Sequence, residues 1–172
     1  MTLKKSFYLW LCGAAFLSYL VHEGAHWLMG ASFGLHMEFG INAVRYLSPL
    51  TPWQKAMTDG AGPLVTILQA IVAYALVQRT RAPLAFAFLY FAAFMRVVAA
   101  LISLVMPNDE ARLSAYLGLG MWTLPLLVGG ALVALVWKAS RQLQLTWKDQ
   151  LLCYLAASVV TTLIVVLDRV LR

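Results

Sequence analysis

Long apolar runs separated by a few charges constrain the fold of this chain more than any other feature. A run of about 20 apolar residues can cross a bilayer, where every backbone N–H and C=O must be satisfied within the protein. Helices do this within one segment. Spans are expected at about Phe7–Ala31, Pro52–Gln78, Pro83–Val105, Ala111–Trp137 and Gln150–Val170. The chain is 62% hydrophobic and 12% charged, whereas soluble domains are about 45–50% apolar and about 25% charged. The expectation is a single membrane domain over residues 1–172, all-α and multi-pass, with about five transmembrane helices. Its expected location is the bacterial inner membrane. The net charge of +6 suits an anionic bilayer surface. The basic residues are scattered, so no nucleic acid is expected as a partner. Cys12 and Cys153 lie in apolar runs and are expected to be free thiols.

Inside the first run stands His22-Glu23-Gly24-Ala25-His26, an H-E-x-x-H pattern. Helix positions i and i+4 share a face, so both imidazoles can bind one metal ion. Glu23 is offset by one residue and can act on water beside the metal without being a ligand. Such groups are costly within a bilayer, which makes function the default reading. A catalytic zinc takes three protein ligands. Candidates for the third are Asp109, favoured here because Pro107 interrupts the apolar run before it, then Glu110, Asp59 and His36. One zinc ion per chain is expected. It would acidify water and polarise a carbonyl, with Glu23 as general base.

Two further segments break the helical pattern. Asp59-Gly60-Ala61-Gly62-Pro63 places a proline and small residues inside the second run, where they let another backbone come close. Leu35, Met37, Phe39 and Ile41 alternate with His36, Glu38, Gly40 and Asn42, the two-residue period of a strand. An exposed strand edge can hold a peptide extended. Thr51-Pro52 reads as a helix start, with Thr51 as cap. Arg96, inside the third run, is expected to pair with Asp59 or Glu110.

His22-Glu23-Gly24-Ala25-His26, Ala61-Gly62-Pro63-Leu64 and Pro107-Asn108-Asp109 together resemble motifs of the intramembrane zinc metalloproteases of the site-2 protease family. The resemblance covers about residues 7–135 and leaves a C-terminal helix, about 150–170, as an addition. It implies a three-helix metalloprotease-like core and a membrane-associated β-hairpin after the first helix. It also implies zinc on His22, His26 and Asp109, with Glu23 catalytic. Asn108, Glu110, Gly62, Pro63, Phe39 and Ile41 become candidates for contact with substrate or support of the ligands. The expected activity is endopeptidase cleavage in or near a transmembrane segment of a partner protein. Glu110 stands where the family has glycine, and Thr66 where it often has asparagine. The family's usual sensor domain has no counterpart in these residues, so a regulatory membrane partner is expected. Two other functions fit the same motifs. One is a non-proteolytic binding or assembly protein with a retained metal site. The other is a membrane hydrolase acting on a lipid or small amide.

Overall fold

The computed structural model describes Leu3 and residues 5–171; residues 1, 2, 4 and 172 of the expected domain lie outside that description. Among the described residues there are six helices and one small antiparallel sheet. The helices are α1 (Lys5–Ser32), α2 (Pro52–Thr80), α3 (Pro83–Ile102), α4 (Asp109–Tyr116), α5 (Thr123–Gln142) and α6 (Trp147–Leu171). The strands, β1 (Met37–Glu38) and β2 (Arg45–Tyr46), pair Met37 with Tyr46 and Glu38 with Arg45.

Among the described residues, four helices, α2, α3, α5 and α6, are long and apolar enough to cross a membrane. The fifth expected span, α1, is 28 residues long but falls outside this set, because His22, Glu23 and His26 lower its hydropathy. It nonetheless runs beside the others from end to end. Leu3 at its start donates a backbone N–H to Asp149 at the start of α6, and His26 near its other end meets the first turns of α2. The apolar faces that the bundle leaves outward, such as Leu64, Leu68, Ile71 and Val72 on α2 and Leu151, Leu155, Val159 and Leu163 on α6, are exposed. A patch of that extent is expected of a lipid-facing surface and not of a soluble monomer.

Helices α1, α2 and α3 pack against one another, and alanines make the close approach possible. Ala14, Ala15, Ala70, Ala73, Ala87 and Ala92 are buried around Leu11, Phe86, Leu89 and Phe91. Lipid tails are as apolar as these side chains, so tight packing and interhelical hydrogen bonds must hold such helices together. Gln69 supplies two. Its amide donates to Ser18 Oγ of α1 at 2.8 Å and to the Phe88 carbonyl of α3 at 3.1 Å. Cys12 and Cys153 are free.

Helix α2 starts as its sequence predicts. Pro52 opens it, the Thr51 hydroxyl accepts from the Gln54 N–H, and the Gln54 side chain accepts from the Thr51 N–H. Such a cap satisfies two backbone donors that would otherwise be orphaned. Three expectations need correction. The third run stops being helical at Ile102, where the Ser103 hydroxyl turns back onto the Ala99 carbonyl and accepts from the Asn108 N–H. The expected fourth span, from about Ala111, is two helices. Gly118 and Gly120 adopt φ of +70° and +79° between α4 and α5, a backbone open to glycine at little cost. Ser114 of α4 clasps this turn by donating to the Gly120 carbonyl. The strand is also shorter than the Leu35–Ile41 alternation predicts. Only Met37–Glu38 pair, and Phe39 and Ile41 belong to the connecting loop. Met37 is seated on Gly30, where an added Cβ would fall 2.5 Å from its terminal methyl. The loop is held instead at the far end of α6, where the Ile41 N–H donates to Asp168 Oδ1 at 2.7 Å.

Candidate metal centre

The centre forms where the C-terminal half of α1 meets the start of α2 and the short helix α4. His22, Glu23 and His26 are all buried, the two histidines against α2 and Glu23 on the cavity. Gly62 of α2 lies directly against both imidazoles. Asp109 is the first residue of α4. The Asn108 carboxamide oxygen accepts its N–H at 2.9 Å and thereby caps the helix. The break after α3 therefore aims a carboxylate at two histidines. Asp109 Oδ2 lies 3.3 Å from His22 Nε2 and 3.5 Å from His26 Nε2, and the two Nε2 atoms are 3.1 Å apart. Among the described residues, His22, His26 and Asp109 are the group that could hold a metal ion.

The hydrogen bonds behind the imidazoles explain why these atoms face one another. His26 Nδ1 lies 2.7 Å from the Thr58 carbonyl oxygen, which can only accept, so Nδ1 carries the proton. His22 Nδ1 lies 3.0 Å from the Thr66 hydroxyl, which itself donates to the Gly62 carbonyl. The Thr66 oxygen then accepts from His22 Nδ1–H. In the neutral rings both Nε2 atoms then present lone pairs toward each other and toward a carboxylate oxygen. Three such atoms in a buried cluster repel unless a proton or a metal ion lies among them. A tetrahedral zinc with ligands at about 2.0–2.1 Å has ligand–ligand edges of about 3.3 Å. The three observed edges straddle that value, so the donor set could hold a metal ion of that size. Backbone and hydroxyl partners of this kind fix tautomer and ring orientation in metal sites.

The other acids are committed elsewhere. Arg112 makes a bidentate pair with Asp59, at 2.8 and 2.9 Å, and donates to Asp109 Oδ1 at 2.7 Å. Asp59 also accepts from Lys55 at 3.2 Å and from the Tyr46 hydroxyl at 3.4 Å. Burial first, and then the Asp59 carboxylate, push the Tyr46 hydroxyl well above the usual tyrosine range, so it remains a donor. Arg112 thus holds Asp109 by one oxygen and leaves Oδ2 turned to the histidines. Glu110 pairs with Arg96 at 2.9 Å, and both are buried. Removing one partner of such a pair typically costs about 3–5 kcal/mol, because the other charge is stranded. Of the two acids expected for Arg96, the structure gives Glu110. Asp59, Glu110 and the exposed His36 are outside the cluster, and the His36 N–H bonds to Ser48.

A cavity of about 330 Å³ opens beside the cluster. It is lined by His22, Glu23, His26, Asp109, Arg96 and Arg112, by Asn42, Ala43, Val44 and Tyr46 of the hairpin, and by apolar residues of α3. Among the described residues no hydrogen bond or ion pair holds the Glu23 carboxylate, which is 5% exposed. Of the residues expected to contact substrate or support the ligands, Asn108 lines the cavity and Gly62 underlies the imidazoles, whereas Glu110, bound to Arg96, and Pro63 do not line it. Phe39 and Ile41 do not line the cavity; the hairpin presents Asn42 to Val44 and Tyr46 instead. No sequence motif marks Thr58 or Tyr46, and Thr66 stands in the sequence only as a departure from one. Thr66 lies one turn after Gly62, on the same helix face, and that spacing was the available signal. No protein-family model, curated protein or solved structure matches this chain.

Proposed function

We propose that this chain is a minimal intramembrane zinc endopeptidase of the site-2 protease type, acting in the bacterial inner membrane on a transmembrane segment of a partner protein. The observation that carries the reading is the convergence of His22 Nε2, His26 Nε2 and Asp109 Oδ2 on one cavity, beside a buried Glu23 that has no hydrogen-bond or ion-pair partner among the described residues. The three-helix core would be α1, α2 and the α3–α4 unit, with α1 crossing the membrane alongside the four more apolar helices.

His22, His26 and Asp109 would hold the zinc, which when bound supplies a Lewis acid that polarises a carbonyl and acidifies water. Glu23 takes a proton from the attacking water as its oxygen bonds to the scissile carbon. Glu23 then delivers that proton to the amide nitrogen as the C–N bond breaks, releasing the amine and a carboxylic acid, which passes its remaining proton to the amine. A helical substrate hides its peptide bonds in its own hydrogen bonds, so it must be held extended. The Asn42–Tyr46 segment lines the cavity and is the place for that pairing. The strand's two-residue length favours one second reading, hydrolysis of a lipid or small amide that needs no extended partner.

Purified protein is expected to cut single-span membrane peptides from a mixed panel, to stop after chelation with 1,10-phenanthroline, and to recover when zinc is returned. Cleavage that ignores chelation would contradict the metal chemistry. A zinc-loaded protein that spares every peptide but hydrolyses lipid amides would select the second reading.

A further inference from the structure

Hydrolysis of an amide places negative charge on the former carbonyl oxygen, which calls for a hydrogen-bond donor in the site. Thr66 cannot serve, since its hydroxyl lies between His22 Nδ1 and the Gly62 carbonyl. Asn108 also lines the cavity, but its carboxamide is held through its oxygen as the cap of α4 and is neutral, so it offers a weaker donor than a guanidinium. Arg112 lines the cavity, but its guanidinium is spread over Asp59, Asp109 Oδ1 and the Pro107 carbonyl.

Arg96 is differently placed. It reaches the cavity from α3 and is 4% exposed. Its Nη1 lies 2.9 Å from Glu110 Oε1 and 3.9 Å from Asp109 Oδ2, the oxygen that faces both histidine Nε2 atoms. The guanidinium therefore adjoins the point where the scissile carbonyl would meet the metal. Its Nε–H is buried with no hydrogen-bond partner among the described residues. A guanidinium carries five donors, and one left unmet in a buried place is costly unless a ligand meets it. Glu110 balances the charge of Arg96 and anchors it without using up those donors.

On the hydrolytic reading above, we propose that Arg96 is the oxyanion-binding residue, which receives the negative oxygen of the tetrahedral adduct through donors that Glu110 does not occupy. Its charge is fixed and held in a site of low dielectric. A donor aimed beforehand at developing charge acts more strongly there than in water.

Two variants test this. Arg96→Gln with Glu110→Gln removes both charges and leaves an amide pair between α3 and α4. Arg96→Lys keeps the charge and the Glu110 pairing but loses the fork. The probes are N-phosphoryl-Leu-Leu, whose anionic tetrahedral head resembles the adduct, and acetyl-Leu-Leu, which lacks that charge. With zinc content unchanged, the double variant is expected to bind the phosphoryl peptide about 100-fold more weakly and the acetyl peptide equally well. Its kcat on a cleaved membrane peptide should fall by about 10²–10³ with KM little changed. Arg96→Lys should show the same selective loss to a smaller degree, and it decides the matter if the double variant loses zinc. Equal phosphoryl affinity in wild type and variants would reduce Arg96 to a structural ion pair and overturn the proposal. So would a loss produced by Asn42→Ala and not by the Arg96 variants. The binding comparison needs no proteolysis. A wild-type protein that holds zinc but cleaves nothing defeats the protease reading while still deciding the role of Arg96.

Discussion

Gly62→Ala is expected to abolish metal binding while leaving the helical bundle intact. An added Cβ at this position would fall 2.5 Å from His22 Cε1 and closer still to His26 Nε2. Neither ring can retreat. His26 is tied through Nδ1 to the Thr58 carbonyl and His22 through Nδ1 to Thr66, both on the same helix that carries Gly62. Any shift that relieves the clash therefore breaks one of these bonds and turns a lone pair away from the cluster. Loss of one such supporting bond typically costs 10–100-fold in metal affinity. Here both rings are displaced, so the loss should reach at least about 100-fold. In the helix itself alanine is favoured over glycine by about 0.8–1 kcal/mol, so far-ultraviolet circular dichroism should be unchanged. Gly24→Ala is the control, because nothing lies within 4 Å of its Cβ position although it belongs to the H-E-x-x-H segment. It should keep its metal. Full zinc content in Gly62→Ala would mean that the histidines are not held as described.

Glu23→Gln should separate binding from chemistry. Glu23 is outside the group that could hold the ion, and no hydrogen bond or ion pair anchors its carboxylate among the described residues. Glutamine has the same shape and should leave zinc content and peptide KM unchanged. It cannot accept the proton of the attacking water. Positioned general bases contribute about 10²–10⁴ in rate, and kcat should fall by at least that much. The measurement is kcat and KM for a cleaved membrane peptide, with metal content determined on the same preparation. A variant that retains wild-type kcat would remove Glu23 from the chemistry.

The parts of the site governed by local rules were legible in the sequence. The spacing of His22 and His26 fixes a shared helix face, Thr51-Pro52 starts α2, and Pro107 before Asp109 marks the break that aims the carboxylate. The supporting bonds were hidden because they join residues far apart in the chain. Thr66 meets His22, the Thr58 carbonyl meets His26, and Arg112 meets Asp59 across 53 positions. Hydropathy ran α4 and α5 together because leucines flank Gly118 and Gly120 and disguise the turn. The alternation from Leu35 to Ile41 overstated the strand. Its length depended on partners, and only Arg45–Tyr46 stands opposite β1. Phe39 and Ile41 followed the strand period but sit in the loop, so the cavity is met by the residues after them.

The most direct test of the central claim is the zinc content of the purified protein beside three variants of the acids near the centre. The account predicts about one zinc per chain in the wild type. It predicts essentially none in Asp109→Ala, where Oδ2 is removed from between the two histidine Nε2 atoms. Asp59→Asn, which only loosens Arg112, and Glu110→Gln, which faces Arg96, should both keep their zinc. A wild-type protein without metal, or an Asp109→Ala variant that binds zinc as well as wild type, would contradict the account.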